Sequence, residues 1–440
     1  MGGIFKAYDI RGIYDDTLTD DLAYRIGRAF GTFLKPRTVV VGRDIRPHSV
    51  PLFEALARGL TTQGADVIDL GLCSTPMSYH ANGVLGADAG IMITASHNPK
   101  QWNGFKLCRE KAIPISGATG IADLERIAMA NAFDAPAAKP GVIRKHDILK
   151  AYGEHVRSVA AVKRPVKIAV DFANAMGIVE AEALRGVLEA DCLFDTLDGS
   201  FPNHEANPLD LETLHALQAK VRAGTYDFGV AYDGDADRAG FIDETGAVIP
   251  MDMITALIAQ SMLKAHKGAA IFYDLRSSWA VKEVIEENGG RPMMSRVGHA
   301  FIKQQMREAD AVFAGELSGH YYFRDNFYAE SSAMAVLYVA NLVSASGKPL
   351  SEMIRPLQRY CASGEINSRV ADTRAVLDRL AKKYPAGKTI RLDGLTVEFA
   401  DWWFNVRASN TEPLVRLNLE AKTRAVMEAR RDELLAVIRT

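Results

Sequence analysis

From Thr19 to Ala314, short apolar runs of strand length alternate with amphipathic stretches of helical period, and the cycle restarts twice. Thr38-Val39-Val40-Val41 reads as a buried strand. It follows a helix with Leu22, Ile26, Ala29, Phe30 and Phe33 on one face, Thr19 as its N-cap and Asp20 and Asp21 in its first turn. A second helix spans about Val50 to Gln63 and stops at Gly64, and strands follow at Asp66 to Leu70 and Ala89 to Thr94. The pattern resumes with the strand Val166 to Asp171, helices around Glu180 to Leu188 and Leu211 to Arg222, and the strand Asp227 to Tyr232. From Met251 it runs through a helix, the strand Ala269 to Tyr273, a helix Trp279 to Glu287 closed by Gly289-Gly290, another helix, and the strand Ala311 to Ala314. Such alternation predicts α/β layers with mixed, largely parallel sheets.

Each cycle takes roughly a hundred residues, the usual size of a domain. The tail breaks the pattern. Thr389 to Leu392, Thr396 to Phe399, Trp403 to Val406 and Val415 to Leu419 read as short antiparallel strands, with Asp393-Gly394 as a turn. Helices at Thr373 to Lys383 and Arg424 to Ile438 flank them, which predicts an α+β unit. At ~150 residues per domain, 440 residues suggest three domains, with four possible. Pro140-Gly141, Ile249-Pro250 and Ser363-Gly364 punctuate the chain, and the expected units are 1–145, 146–249, 250–362 and 363–440.

Lys and Arg number 52 against 54 Asp and Glu, a formal charge of −2 that supplies no basic field for nucleic acid or an anionic membrane. No apolar run reaches the ~18 residues of a membrane span; Ala333 to Val343 is short and contains Asn341. The start lacks the apolar core of a signal peptide, and Lys6 stands where a myristoylation signal has Ser or Thr. Cys73, Cys108, Cys192 and Cys361 show no Cys-x-x-Cys spacing, as expected of reduced thiols in a cytoplasmic protein.

Four polar loops carry the chemistry. The first, Thr94-Ala95-Ser96-His97-Asn98-Pro99, leaves a strand; Ser96 is a candidate phosphoryl carrier, with His97 beside it and Lys106 further on. Turn chemistry alone would also favour Ser, Asn and Pro there. The second is Asp233-Gly234-Asp235-Ala236-Asp237-Arg238, whose three carboxylates would repel one another unless a cation held them, and Mg²⁺ prefers such hard oxygens. Glu244 falls at the twelfth position of a calcium EF-hand, but Arg238 occupies the sixth, where that loop needs Gly, so that reading fails. The third loop, Gly315-Glu316-Leu317-Ser318-Gly319-His320, sets a carboxylate and a hydroxyl between glycines, suited to sugar hydroxyls or to a plain hairpin. The fourth runs from Arg407 through Ser409, Asn410 and Thr411 to Pro413, with Arg416 beyond, and two arginines around three small donors suit a phosphate dianion. Together the loops are the parts for moving a phosphoryl group on a sugar phosphate.

In this order, and with Lys6-Ala7-Tyr8-Asp9-Ile10-Arg11-Gly12 at the start, the chain resembles the α-D-phosphohexomutase family, in its phosphomannomutase/phosphoglucomutase branch, over its whole length. The resemblance implies four domains around a central cleft, with Ser96 as a phosphoserine and Asp233, Asp235 and Asp237 binding Mg²⁺ together with that phosphate. It implies Glu316 and Ser318 on sugar hydroxyls, and Arg407, Ser409, Asn410, Thr411 and Arg416 on the non-reacting phosphate. Tyr8, Arg11, His97, Lys106, Arg238, Gly298, His299 and His320 would complete the site. Arg276 stands where many members have Lys; charge survives, but the planar fork meets phosphate differently. Ser-Asn-Thr at 409–411 resembles the mannose/glucose branch more than the glucosamine branch.

The implied reaction shifts phosphate between O6 and O1 of a hexose, mannose being the expected sugar, through phospho-Ser96 and a hexose 1,6-bisphosphate that acts as intermediate and activator. Lys106 and His97 are the candidates for general base and acid, in either order, and Arg11 is placed to tune either one, a cation near Lys106 lowering its pKa. The partners expected are hexose phosphates alone, on a monomer or homodimer. A phosphoglucosamine mutase, a Mg²⁺-dependent sugar-phosphate phosphohydrolase and a non-catalytic sugar-phosphate binder are the alternatives.

Overall fold

The computed structural model describes residues 3–408 and 414–440. Four sheets follow one another along the chain. The first has the order Ile10–Ile13, Trp102–Arg109, Ala89–Ile93, Thr38–Arg43, Asp66–Leu72 and Ile143–Lys145. Its last four strands are parallel, while the first two run antiparallel to their neighbours. The second runs Val248–Ile249, Ala239–Asp243, Phe228–Tyr232, Lys167–Asp171 and Glu189–Leu193; the third runs Arg291–Ser295, Ala270–Asp274, Phe313–Gly315, Tyr321–Phe323 and Ala329–Glu330. In each, three parallel strands carry an antiparallel flank. The fourth sheet is antiparallel, centred on Trp402–Ala408 and Leu414–Ala421, with the helices Thr373–Lys383 and Arg424–Ile438 beside it.

This topology repeats one device. The three loops that leave α/β strands are each the turn at which a parallel strand hands over to an antiparallel one: Ala89–Ile93 to Trp102–Arg109, Phe228–Tyr232 to Ala239–Asp243, and Phe313–Gly315 to Tyr321–Phe323. The fourth loop joins the hairpin in which Arg407 stands opposite Arg416. A hairpin turn anchored on both sides is a stiffer mount for a polar group than a free crossover.

Local signals explain most elements. Thr19 caps Asp20–Leu34, its hydroxyl accepting the Leu22 N–H at 3.2 Å. The helix expected around Glu180 to Leu188 runs instead over Gly177–Ala183, because Gly186 takes a left-handed turn (φ 82°) and the chain re-enters the sheet at Glu189. The strand expected at Ala311 to Ala314 is shifted to Phe313–Gly315. The apolar run around Ala333 to Val343 forms the buried helix Ser332–Ser346, where the Asn341 side chain bonds Val159 O and the Ala161 N–H. No helix among the described residues is long and apolar enough to cross a membrane.

One apolar core runs through the second and third sheets and into the back of the first, joining Val40, Met77, Phe228, Ile254, Phe313 and Met334. The C-terminal unit has its own core around Leu395, Phe404, Leu417 and Leu434. Its contacts with the rest include the polar ones of Trp279 N–H to Glu420 and Val297 N–H to Asp393.

Candidate active site

Ser96 sits in the first turn with a left-handed backbone (φ 52°), a conformation disfavoured for residues other than glycine. Its hydroxyl donates to Asp233 Oδ2 at 2.7 Å, and its N–H donates to Thr94 Oγ1 at 2.9 Å. His97 Nδ1 is 3.4 Å from the same hydroxyl. Burial, then the charges of Arg238 and Arg11, hold His97 well below the usual histidine range. Arg11 lies opposite Gly104 on the neighbouring strand and donates to Asn98 Oδ1 at 2.5 Å, to Ala95 O at 3.2 Å and to Asp9 at 2.7 Å.

Lys106, opposite Met92, reaches across to the second domain, donating to Asp235 Oδ2 at 2.6 Å and to Asp237 Oδ2. Burial and Arg11 both push its pKa down, but Asp235 and Asp237 outweigh them and the net shift is upward. Arg11 does lower Lys106, as expected of a neighbouring cation, but the carboxylates the amine touches set the net direction. Burial raises Asp233 to about 7, helped by the charges of Asp237 and Asp235. Burial would raise Asp237 too, yet Lys106, His320 and Arg238 hold it well below the carboxylate range. Thr75 fixes this loop from behind, its hydroxyl donating to Asp235 Oδ2 at 2.5 Å and its N–H to Asp235 O at 2.9 Å.

Ligand atoms of Asp233, Asp235 and Asp237 lie within 4.8 Å of one another, and Asp235 Oδ1 is buried without a hydrogen-bond partner. Three hard oxygens with an orphaned acceptor fit a divalent cation. Asp237, His320 and Glu330 form a second such group. There, however, Lys303 donates to Glu330 at 2.9 Å and His320 is itself cationic, so the charge is already balanced by protein.

His320 ties the second and third domains. Burial and Arg238 lower its pKa, but Asp237 and Glu316 prevail and set it at about 9. Its Nδ1 lies 3.0 Å from Glu316 Oε2 and its Nε2 3.3 Å from Asp237 Oδ1, with Arg238 Nε 3.3 Å from the same Nε2. Glu316 also accepts from Tyr322 (2.5 Å) and the Gly298 N–H (3.0 Å), while Ser318 Oγ is 3.0 Å from His320 Nδ1. Gly298 has φ 128°, and His299 opens the helix His299–Ala309 with its ring edge-on to Tyr8 at 5.1 Å.

Arg276 lays Nε and Nη2 on Asp274 at 3.1 and 2.8 Å, and the same carboxylate accepts the Leu317 N–H at 2.8 Å. A planar fork in this place is therefore tied to the third loop in a way an ammonium could not be. In the C-terminal domain, Glu365 accepts from Arg407 Nη2 at 2.9 Å and Arg416 Nη1 at 3.0 Å, with Arg276 Nη1 at 3.8 Å. Ser409, Asn410 and Thr411 lie outside the described residues. Ser96, Asp233, Arg238, His320 and Glu316 form one run of polar contacts across the first three domains, while Arg276 and Arg407 meet at Glu365.

Sequence reasoning missed Thr75, Asp274, Tyr322, Glu330, Glu365 and Arg46, which bond site residues from behind. The only local signal was position: Arg46 closes the charged strand end Arg43-Asp44-Ile45-Arg46, and Glu365 follows Gly364 at a boundary.

Four family profiles described as phosphoglucomutase/phosphomannomutase match the chain: α/β/α domain I over residues 2–134, domain II over 149–246, domain III over 250–360 and the C-terminal domain over 365–437. A phosphomannomutase of Salmonella montevideo is 43% identical, the alignment covering 99% of this chain and 98% of that protein. A Xanthomonas campestris protein named phosphohexose mutases is 40% identical over 99% of both. The crystal structure of a phosphoglucomutase/phosphomannomutase family protein from Burkholderia thailandensis superposes with a TM-score of 0.92 at 32% identity, covering 99% of this chain and 97% of that one.

Proposed function

The chain belongs to the phosphoglucomutase/phosphomannomutase family, and on that premise we propose that it interconverts hexose 6-phosphate and hexose 1-phosphate, with mannose the preferred sugar. It is an intramolecular phosphotransferase acting on small sugar phosphates. The observation that carries this reading is the 2.7 Å bond between Ser96 Oγ and Asp233 Oδ2, which joins the carrier serine of one domain to the acidic loop of the next.

In the reaction, the Oγ–P bond of phospho-Ser96 breaks as the free hydroxyl of the bound hexose monophosphate forms its own O–P bond, giving a 1,6-bisphosphate. The bisphosphate turns over in the cleft and returns its other phosphoryl group to Ser96. Asp233, Asp235 and Asp237, with the serine phosphate, would hold Mg²⁺, which when bound offsets charge on the transferring group. Lys106 supplies positive charge beside the same carboxylates, and His97, uncharged and 3.4 Å from Oγ, is placed to take the proton of the attacking sugar hydroxyl and pass it to Oγ as the Oγ–P bond breaks. Glu316, Ser318 and His320 face the sugar, while Arg407 and Arg416, with Ser409, Asn410 and Thr411, grip the phosphate that is not reacting. A C-terminal domain with its own core suits a lid that regrips the intermediate after it turns. Four free thiols are in keeping with a cytoplasmic enzyme.

The test compares kcat/KM for mannose, glucose and glucosamine 1-phosphates with trace glucose 1,6-bisphosphate, following the 6-phosphate product. Mannose should rank first and glucosamine last. Release of inorganic phosphate without isomer formation would make the chain a phosphohydrolase instead.

A further inference from the structure

Arg46 follows the strand Thr38–Arg43, and its side chain is fully buried. A guanidinium has five N–H donors in one plane and no acceptor. Here every donor is taken. Nε donates to Asp44 Oδ2 at 3.1 Å. Nη1 donates to the carbonyls of Pro99 and Trp102 at 2.8 and 3.0 Å, and Nη2 to those of Ser96 and Asn98 at 2.7 and 2.6 Å. Three of the five acceptors are backbone oxygens of the turn that carries Ser96, and a fourth, that of Trp102, opens the strand that follows it.

The second domain closes over the same guanidinium. Phe201 lays its ring on it at 5.2 Å. Gly234, between the first two aspartates, approaches so closely that a Cβ there would stand 2.4 Å from the Ser96 carbonyl oxygen. The turn itself has no strand or helix between Thr94 and Lys100, and it holds Ser96 in a left-handed conformation. A strained conformation persists only where its surroundings over-determine it. The buried fork meets that requirement, and because no N–H is left over, it has none to offer a phosphate.

We propose that Arg46 is a positioning residue for phosphoryl transfer: its five-donor fork fixes the Ser96 turn so that the serine oxygen keeps one orientation toward the aspartate loop through each cycle of phosphorylation. The inference rests on Ser96 being the carrier. Lysine keeps the charge but offers only three donors from a point and cannot span the four carbonyls. A turn displaced by an ångström would slow transfer while the residues that grip sugar and distal phosphate stay in place.

The experiment measures steady-state kinetics and the single-turnover rate at which Ser96 is labelled by ³²P glucose 1,6-bisphosphate, in the wild-type protein and in Arg46→Lys. The expected result is a fall of about 10- to 100-fold in kcat and in labelling rate, with KM within about twofold and an unfolding midpoint close to wild type. Labelling at the wild-type rate overturns the proposal, as does a loss that follows only the folded fraction. If Arg46→Lys does not fold, Asp44→Asn, which frees Nε while keeping the arginine, must show the same split at smaller amplitude; an unchanged labelling rate there overturns the proposal. A wild-type protein that turns over without labelling Ser96 sinks the carrier reading itself, an outcome distinct from either.

Discussion

Arg407 and Arg416 stand directly opposite each other on adjacent antiparallel strands, and the Glu365 carboxylate bridges their guanidinium groups at 2.9 and 3.0 Å. An internal anion thus sits where the two cations proposed to hold a substrate phosphate converge. Burial would raise its pKa, but Arg407, Arg276 and Arg416 hold it below the usual glutamate range, so it is charged at neutral pH. A phosphate must compete with it. Glu365→Gln should therefore tighten inhibition by inorganic phosphate by about 10-fold, with KM for hexose phosphate falling in the same direction. Weaker phosphate inhibition in the variant would instead make Glu365 a scaffold for the two arginines.

Ser96→Ala removes the proposed phosphoryl carrier and one hydrogen bond to Asp233. Turnover should fall by about 10⁴-fold or more, as for loss of a covalent nucleophile. The fold should lose only about 1–3 kcal/mol, the scale of one buried hydrogen bond to a carboxylate. Calorimetric binding of hexose phosphate, retained at near wild-type affinity, separates the two effects. Residual activity near wild type would remove Ser96 from the mechanism.

Asp235 offers a buried, unpartnered Oδ1 to a cation, while its Oδ2 is held by Thr75 and Lys106. Chelation should abolish turnover and added Mg²⁺ restore it. Asp235→Asn keeps the shape and loses the charge, so the Mg²⁺ concentration for half-maximal rate should rise by about 10- to 100-fold. A metal titration curve that does not move would exclude the loop as the cation site.

The parts of this molecule that were legible in the sequence are those written locally. Thr19 announces a helix, Thr38–Val41 a buried strand, and Asp233, Asp235 and Asp237 a carboxylate cluster that could hold a cation, because each signal lies within a few residues of its cause. The antiparallel return strands were not read, since Tyr321–Phe323 is three residues long and buried on both faces, which leaves no alternation to see. The supporting shell was hidden for another reason. Thr75 bonds Asp235 across 160 positions and Arg46 bonds Ser96 across 50, and no spacing rule connects such pairs. The departure at Arg276 was visible, but its meaning required Asp274, whose carboxylate occupies most of the fork.

Gly234 tests the contact between the two catalytic loops. A methyl group there would lie 2.4 Å from a backbone carbonyl oxygen, which has no side-chain freedom with which to yield. Gly234→Ala should lower stability by about 1–3 kcal/mol and reduce kcat more than KM, because the strain falls on the Ser96 turn. Thermal unfolding and steady-state rates measured together decide it. A variant with normal stability and rate would mean that the loops move apart freely.

Glu180 gives the fold a pH dependence with a definite sign. It is buried on Gly177–Ala183, between the Ser74 hydroxyl at the start of Thr75–Val84 and the Tyr152 hydroxyl at 2.8 Å, and so it links the first domain to the second. Burial raises its pKa from 4.5 to about 7, against the lowering effect of those two hydroxyls. Between these values the folded chain holds a proton that the unfolded chain has released. This contribution is complete below pH 4.5, is lost as pH rises to 7, and amounts to about 3 kcal/mol. Glutamine mimics the protonated acid at every pH. The stability of Glu180→Gln relative to wild type, from urea midpoints at pH 4 to 8.5, should therefore climb with pH and level off above 7. A difference that stays constant across that range would mean the carboxyl is ionised throughout, and that the two hydroxyls outweigh its burial.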